Sequence, residues 1–152
     1  MEYSKDFMVR LKDEITADEG VKLEVYLDHL GYPTVGVGHL ILEADDEYNQ
    51  GEGYKITQTR SDELFYRDIN ICLSECERGL NEWTSYPEEV QLIVANMAFN
   101  LGITRLKKFK NFFSALNDGD YKQASVEGLD SRWAKQVYNR AHRLMDRLRS
   151  AK

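Results

Sequence analysis

The side chains best suited to chemistry lie in one short stretch, between Glu19 and His39. Eight residues separate Glu19 from Asp28, and five more separate Asp28 from Thr34. Two carboxyl groups on either side of a sugar bond can divide the work of its cleavage, because one donates a proton while the other handles charge or activates water. A hydroxyl beside the second carboxyl group supplies another ligand for that water. These residue types could form a cleft for glycosidic cleavage where the fold brings them together, but in a chain with 26 acidic residues the spacing of two acids alone indicates nothing.

A helix is expected to deliver the first of these groups. Apolar residues of the first segment recur at helical spacing, which predicts an amphipathic helix over residues 3–18; they are Met8, Leu11 and Ile15. Gly20 is the residue type that ends a helix in a left-handed conformation. The carboxyl group of Glu19 is therefore expected at the end of this helix.

A hairpin is expected to carry the other two groups. The runs 23–26 and 34–38 have the composition of short strands, and the Asp, Gly and Pro residues between them are typical of a turn. Asp28 is thus expected at the rim of a hairpin. Thr34 is expected at the start of its return strand.

Most of the remaining chain is predicted to be helical. Residues 42–54 are polar and predict a loop, with a third short strand near residues 53–55. An apolar stripe then predicts one long helix, and its members are Leu64, Phe65, Ile69, Cys72, Leu73, Cys76 and Leu80. Residues 90–101 are apolar on most faces and predict a buried central helix. Further helices are predicted over 106–116, from Asp120 to Gly128, and around Ala141 to Leu148. The chain is therefore predicted to be an α+β protein, mostly helical, with a small sheet near its N-terminus.

The order of residues in the first stretch resembles a known signature. Glu19, Asp28 and Thr34 are followed by the strand Gly36-Val37-Gly38-His39, and this set resembles the catalytic signature of the phage-type lysozyme family, in particular its T-even bacteriophage branch. Further matches extend from about residue 11 to residue 149, and they are Ile56-Thr57, Leu64-Phe65, Asp68, Asn96-Met97-Ala98-Phe99, Leu101-Gly102, Phe109, Asn111, Ser131-Arg132-Trp133 and Asn139-Arg140-Ala141.

The resemblance implies a lysozyme-like fold in one domain spanning residues 1–152. A small β-hairpin lobe, at about 19–57, is expected to be joined by a connecting helix, at about 58–80, to a helical lobe. That lobe is expected to comprise residues 81–152 and the N-terminal helix over 3–18.

The resemblance also implies an activity. An endolysin-type muramidase is expected, which hydrolyses β-1,4 bonds between N-acetylmuramic acid and N-acetylglucosamine in peptidoglycan without a cofactor or a metal. Glu19 would be the general acid, and Asp28 and Thr34 would position the attacking water. Two alternatives stay open. A lytic transglycosylase would need no water-handling Asp28, and a catalytically inactive wall-binding or structural module would need none of the three residues.

Several further residues take roles from the same resemblance. Arg140 is expected to orient Glu19, with Asp18 sharing that arginine, and His39 is expected to form an ion pair with Asp68. The residues expected to bind substrate are Leu40, Phe99 and Arg132. Leu30 departs from the T-even branch, which has an acidic residue there that faces the arginine matched by Arg132. That salt bridge cannot form in this chain.

Composition narrows the possible partners. The chain has 20 Lys and Arg against 26 Asp and Glu, a net charge of −6, which argues against a nucleic-acid partner. The average hides an asymmetry, because residues 103–152 carry 12 basic and 5 acidic residues. This last third could present a basic surface to a polyanion, although solvated helix faces account for the pattern equally well. The two cysteines, Cys72 and Cys76, are expected to be reduced core or boundary residues.

The expected location follows from the N-terminus and from the resemblance. Residues 1–14 contain neither an apolar core segment nor a small-residue cleavage site, so no signal peptide is predicted. The protein is expected in a host cytoplasm, from which it reaches the periplasm and the cell wall once the membrane is permeabilised. Bacterial peptidoglycan is the expected partner, with no nucleic acid, no membrane and no second subunit.

Overall fold

The structure is a computed structural model that describes all residues from 1 to 152. Its elements in chain order are α1 (Lys5–Glu19), β1 (Lys22–Leu27), β2 (Pro33–Gly36), β3 (His39–Leu40), α2 (Gln58–Gly79), a 3-10 turn (Trp83–Ser85), α3 (Glu88–Leu101), α4 (Ile103–Leu106), α5 (Lys110–Asn117), α6 (Tyr121–Leu129), α7 (Arg132–Gln136) and α8 (Tyr138–Arg149). The predicted α+β class, mostly helical with a small sheet near the N-terminus, is confirmed. None of the helices combines the length and the apolar composition needed to cross a membrane.

The sheet is antiparallel, in the order β1-β2-β3. Tyr26 of β1 lies opposite Thr34 of β2, and the register shifts between Tyr26 and Lys22. The third strand was predicted near residues 53–55, but it is His39–Leu40. Left-handed glycines at positions 36 and 38 allow the chain to reverse directly after β2. Residues 53–56 form only irregular pairing with β1, through hydrogen bonds such as Val25 N–H to the Tyr54 carbonyl.

The chain divides into two compact units. One comprises Met8–Ile71, and the other comprises Met1–Phe7 with Cys72–Lys152. In the first unit, one face of the hairpin is buried because it packs on α2. The buried residues of that cluster are Val25, Val35, Ile41 and Leu64, with Ile56 against them. This packing holds the hairpin in one register, since a slip by one residue would turn its apolar side chains towards solvent.

The segment between β3 and α2 contains no helix, yet buried carboxylates hold it in place. Glu47 is 3% exposed and accepts hydrogen bonds from Nε and Nη2 of Arg60, at 2.8 and 3.1 Å. The guanidinium group lowers the pKa of Glu47 despite its burial. Thr57 then accepts a hydrogen bond from the backbone N–H of Arg60 and caps the start of α2.

The second unit is built around α3, which is buried on most faces as predicted. Pro87 occupies the N-cap of that helix. The single helix predicted over 106–116 is wrong, because the chain breaks at Phe109, whose ψ of 63° lies outside the helical range. The thiols of Cys72 and Cys76 are buried and free, as expected.

Candidate active site

Glu19 is the last residue of α1, and the backbone after it has the predicted left-handed turn. Gly20 has a φ of 76°, and its N–H donates to the Thr16 carbonyl at 2.8 Å. The Glu19 carboxylate is half-buried and lies against the turn between β2 and β3. A Cβ atom built on Gly38 would be 3.3 Å from Oε2 of Glu19. The second glycine of the Gly-Val-Gly-His strand therefore leaves space for this carboxylate.

Asp28 closes the hairpin turn with its own side chain. Its Oδ1 accepts hydrogen bonds from the backbone N–H groups of Leu30 and Tyr32, both at 2.9 Å. The backbone N–H of Asp28 donates to the Tyr32 carbonyl at 2.9 Å. This Asx-type turn fixes the orientation of the carboxylate. Its Oδ2 receives no hydrogen bond from the protein and remains available to a ligand or a water molecule.

Thr34 is connected to Asp28 through one residue. Its Oγ1 donates to the Tyr32 carbonyl at 3.0 Å, and the N–H of Tyr32 donates to Asp28. The Thr34 side chain was expected to be an open ligand for water, but the residue is only 5% exposed. Because its proton is already donated, the hydroxyl can bind a water molecule only as an acceptor. The carboxylate of Asp28 and the hydroxyl of Thr34 thus hold the backbone of Tyr32, one at its N–H group and the other at its carbonyl.

Tyr26 is a member of this neighbourhood that the sequence did not indicate. It lies opposite Thr34 in the sheet, so the two side chains share a face. Burial raises the pKa of Tyr26, and the negative charges of Glu19 and Asp28 raise it further. Both carboxylates are therefore close enough to act on one phenol. The only available signal was the position of Tyr26 on β1, two residues before Asp28 in the turn.

An open groove of about 710 Å³ runs along β1 beside Tyr26. Its walls are formed by residues 22–27 and by the loop at Glu52 and Gly53. The Nζ atom of Lys22 lies 4.3 Å from the centroid of the Tyr26 ring. The groove therefore combines one ammonium group, carboxylates and an aromatic ring, which is a lining suited to a polar ligand with flat apolar faces.

The expected pairing of His39 with Asp68 is present. Its Nδ1 is 2.7 Å from Oδ2 of Asp68, and its Nε2 is 2.8 Å from Oδ2 of Asp45, a partner that the sequence did not indicate. Burial lowers the pKa of His39, but hydrogen bonds and charges from the two carboxylates outweigh burial, and the net change is upward. His39 is 6% exposed and therefore anchors β3 and the following loop rather than facing a substrate.

The remaining predicted residues of this unit are accessible to different degrees. Leu40 is 46% exposed at the end of β3, and Leu30 is 68% exposed in the hairpin turn. Asp18 is half-buried, next to Glu19 on α1. Leu40 and Leu30 therefore present apolar side chains to solvent. The role of Asp18 stays a prediction.

Phe99, Arg132 and Arg140 belong to the helical unit. Phe99 is half-buried near the end of α3, and Arg132 is exposed at the start of α7. Arg140 is buried, and its Nε donates to Oδ1 of Asn96 at 2.8 Å, so it is not a surface arginine. The substrate-binding and orienting roles of these three residues stay predictions. No three His, Cys, Asp or Glu side chains are arranged to hold a metal ion.

Comparison with known proteins identifies related sequences. A family model described as phage lysozyme matches residues 16–151. The pre-baseplate central spike protein Gp5 of Enterobacteria phage T4 is 30% identical over 156 residues, which cover 88% of this chain and 26% of that protein. A protein named probable T4-type lysozyme 2, from Dictyostelium discoideum, is 28% identical over 154 residues, which cover 89% of this chain and 91% of that protein.

A third relative is a phage protein of different size. The peptidoglycan hydrolase gp36 of Pseudomonas phage phiKMV is 30% identical over 138 residues, which cover 90% of this chain and 15% of that protein. The chain thus spans about a quarter of the spike protein and a smaller part of gp36, but most of the Dictyostelium protein.

Proposed function

Because this chain belongs to the phage lysozyme family, we propose that it is a lysozyme that hydrolyses the β-1,4 bonds between N-acetylmuramic acid and N-acetylglucosamine in peptidoglycan. The observation that carries the proposal is the connection between Asp28 and Thr34. Both side chains bond to the backbone of Tyr32, and Thr34 lies opposite Tyr26, whose phenol is influenced by the charges of Glu19 and Asp28.

Glu19 is the proton donor in this proposal. Its carboxyl group lies at a helix end and against Gly38, where a side chain would crowd it. Protonation of the glycosidic oxygen allows the C–O bond to break while positive charge develops on the sugar ring. The leaving sugar departs with that proton as its hydroxyl group.

Asp28 and Thr34 handle the water. Oδ2 of Asp28 accepts a hydrogen bond from one O–H group of the water molecule. Oγ1 of Thr34 accepts a hydrogen bond from the other O–H group through a lone pair, because the Thr34 proton is donated to the Tyr32 carbonyl. The water oxygen then attacks the anomeric carbon on the face opposite the leaving group, and Asp28 removes a proton from it. A single displacement of this kind inverts the configuration at the anomeric carbon.

The arrangement favours hydrolysis over the transglycosylase alternative. A transglycosylase closes the sugar with its own hydroxyl and has no need for a carboxylate that is held by two backbone N–H groups with its second oxygen left open. We further propose that the protein acts on wall material after the host membrane is permeabilised, as a single chain without a cofactor.

Wall clearing by purified protein tests the proposal. Purified Gram-negative sacculi are incubated with the parent, with Glu19→Gln and with Asp13→Asn, and turbidity and new reducing ends are measured. Asp13 is an exposed carboxylate on the same helix and is the matched control. Glu19→Gln should lower the rate by roughly 10²–10⁴, the usual loss for a general acid, and Asp13→Asn should not change it. A Glu19→Gln rate within about tenfold of the parent rejects the assignment.

A further inference from the structure

A second cavity lies in the helical unit and is lined entirely by residues between positions 79 and 117. Its volume is about 300 Å³. Tyr86 and Phe113 supply aromatic surface, and Lys107 and Lys110 supply two ammonium groups. This combination differs from the groove along β1, which belongs to the other unit.

The charged side chains that line this cavity are both positive, although the negative charge of Glu82 reaches Tyr86. The chain has 26 acidic residues, yet no Asp or Glu lines the cavity. Glu24 and Glu52 line the groove along β1, and Glu127 and Asp130 line a smaller cavity beside α5 that Lys110 also borders. Neither Lys107 nor Lys110 forms an ion pair, so both ammonium groups are available to a ligand. An anion would therefore meet attraction here on a protein whose overall charge repels it.

One of the lysines, Lys107, is exposed but has part of its stem against the end of α2. Gly79 is the last residue of α2, and a Cβ atom built on it would be 3.5 Å from Cδ of Lys107 and 3.2 Å from Cγ1 of Ile103. The Lys107 stem therefore lies across the backbone of Gly79. Such a stem loses less freedom when its ammonium group binds a ligand than a stem in open solvent does.

A neutral donor in the cavity is also oriented. The Tyr86 hydroxyl donates to Oδ1 of Asn117 at 2.6 Å, which occupies the amide oxygen. Burial raises the pKa of Tyr86 to about 12, so its hydroxyl keeps its proton at neutral pH. The amide N–H groups of Asn117 are consequently free to donate to an acceptor, and the amide of Asn81 lies on the same wall.

We propose that this cavity binds a carboxylate of the peptidoglycan stem peptide, as a second wall-binding site apart from Glu19 and Asp28. The inference rests on the proposed function for the identity of the polymer. Stem peptides carry free carboxylates next to short aliphatic groups. Lys107, Lys110 and the Asn117 amide match the carboxylate, and the Phe113 ring matches the aliphatic part. Such a site lets an acidic protein hold an anionic wall.

Binding of a soluble stem peptide tests the site directly. The probe is the tripeptide L-alanyl-γ-D-glutamyl-diaminopimelate, titrated into ¹⁵N-labelled full-length protein, with its carboxyl-amidated form and inorganic phosphate as comparison ligands. We expect shifts at the side-chain amides of Asn81 and Asn117, and at least tenfold weaker binding of the amidated peptide. The double variant Lys107→Gln/Lys110→Gln should weaken tripeptide binding at least tenfold.

The matched control is Lys122→Gln/Lys135→Gln, which removes the same charge from two exposed positions outside the cavity. It should leave tripeptide binding within twofold of the parent. If the Lys107 and Lys110 variant does not fold, Asn117→Asp brings a carboxylate into the same cavity and should abolish binding.

The outcomes separate this inference from the proposed function. The cavity is not a peptide site if both double variants lose binding equally, if phosphate binds as tightly as the tripeptide, or if Asn81 and Asn117 show no shift. In each of these cases, wall clearing by the parent and its loss in Glu19→Gln still support the lysozyme proposal. Conversely, peptide binding at the cavity with unchanged clearing by Glu19→Gln rejects the catalytic assignment and keeps the binding site.

Discussion

Replacement of Asp45 by Asn should weaken the attachment of the loop after β3. His39 lies between Asp68 and Asp45, at 2.7 and 2.8 Å from its two ring nitrogens. A neutral imidazole has one N–H group, so only the imidazolium form can donate to both carboxylates. Asp45 also accepts a hydrogen bond from the Leu42 backbone N–H at 2.8 Å and contacts Arg67 at 3.4 Å. The substitution keeps the shape and removes the charge that these donors share.

The expected size of the effect follows from burial. The Asp45 side chain is 1% exposed, whereas that of Asp68 is 26% exposed. Hydrogen bonds to charged groups contribute about 1.5–3 kcal/mol each, and well-buried ones lie at the upper end of that range. Asp45→Asn should therefore lower the free energy of unfolding by about 3 kcal/mol near pH 6, or Tm by about 6–12 °C for a chain of this length.

The effect should depend on pH in a definite direction. The pKa of His39 is raised, so the stability it contributes is complete below its unfolded value of about 6.5 and is lost as pH rises through the folded value. The pKa of Asp45 is lowered on balance: burial alone would raise it, but the Leu42 N–H and His39 outweigh burial. Its contribution is present above its unfolded pKa of about 3.9 and is lost as pH falls through the folded value.

Chemical denaturation of the parent and Asp45→Asn across acidic to alkaline pH measures the difference. The matched control is Asp46→Asn, since the Asp46 side chain is 89% exposed and only 3.9 Å from Arg60. The control should change stability by less than about 0.5 kcal/mol. The difference in the free energy of unfolding between the parent and Asp45→Asn should shrink as pH rises past the titration of His39. If that difference stays constant, or if it equals the difference caused by Asp46→Asn, His39 is not an imidazolium paired with both carboxylates.

Three further substitutions address the candidate active site. Gly38→Ala should cost about 1–2 kcal/mol of stability because φ is 64°, and should also slow wall clearing because its methyl group approaches Glu19. Gly51→Ala is the control, because φ is 83° there but the space around it is open, and it should cost stability alone. Thermal melts and clearing rates measure the two effects. Tyr26→Phe should keep Tm and lower the clearing rate by about tenfold if its hydroxyl bonds to substrate, a loss of about 1.4 kcal/mol, and an unchanged rate contradicts this. Thr34→Val should reduce product formation by more than tenfold while Thr34→Ser retains most of it, and equal rates in the two variants would remove the hydroxyl from the mechanism.

Local rules were sufficient for the parts of the site that depend on adjacent residues. The end of α1 at Glu19 follows from Gly20, and the hairpin follows from turn residues around Asp28. In both cases the backbone conformation is decided within a few positions, so the sequence contains the necessary information. The buried centre at α3 was equally predictable, because its apolar residues cover most faces of the helix.

Contacts between residues that are distant in the sequence were harder to predict. Asp45 lies in a run of acidic residues, and nothing in its immediate sequence separates the carboxylate that pairs with His39 from its exposed neighbour Asp46. Tyr26 becomes important only through the charges of Glu19 and Asp28, which reach it from different elements. The third strand was misplaced because the two-residue strand at His39 is too short to form a pattern.

The first product released from peptidoglycan tests the central claim most directly. Proton NMR of freshly cleaved wall fragments distinguishes the two anomers before they interconvert, and mass spectrometry distinguishes a reducing end from an anhydro end that is lighter by one water. A water held by Asp28 and Thr34 opposite the leaving group predicts an α-configured reducing sugar as the first product. A β-configured first product would place Asp28 in the role of a nucleophile, and a 1,6-anhydro sugar would show that no water is used; either result contradicts the account.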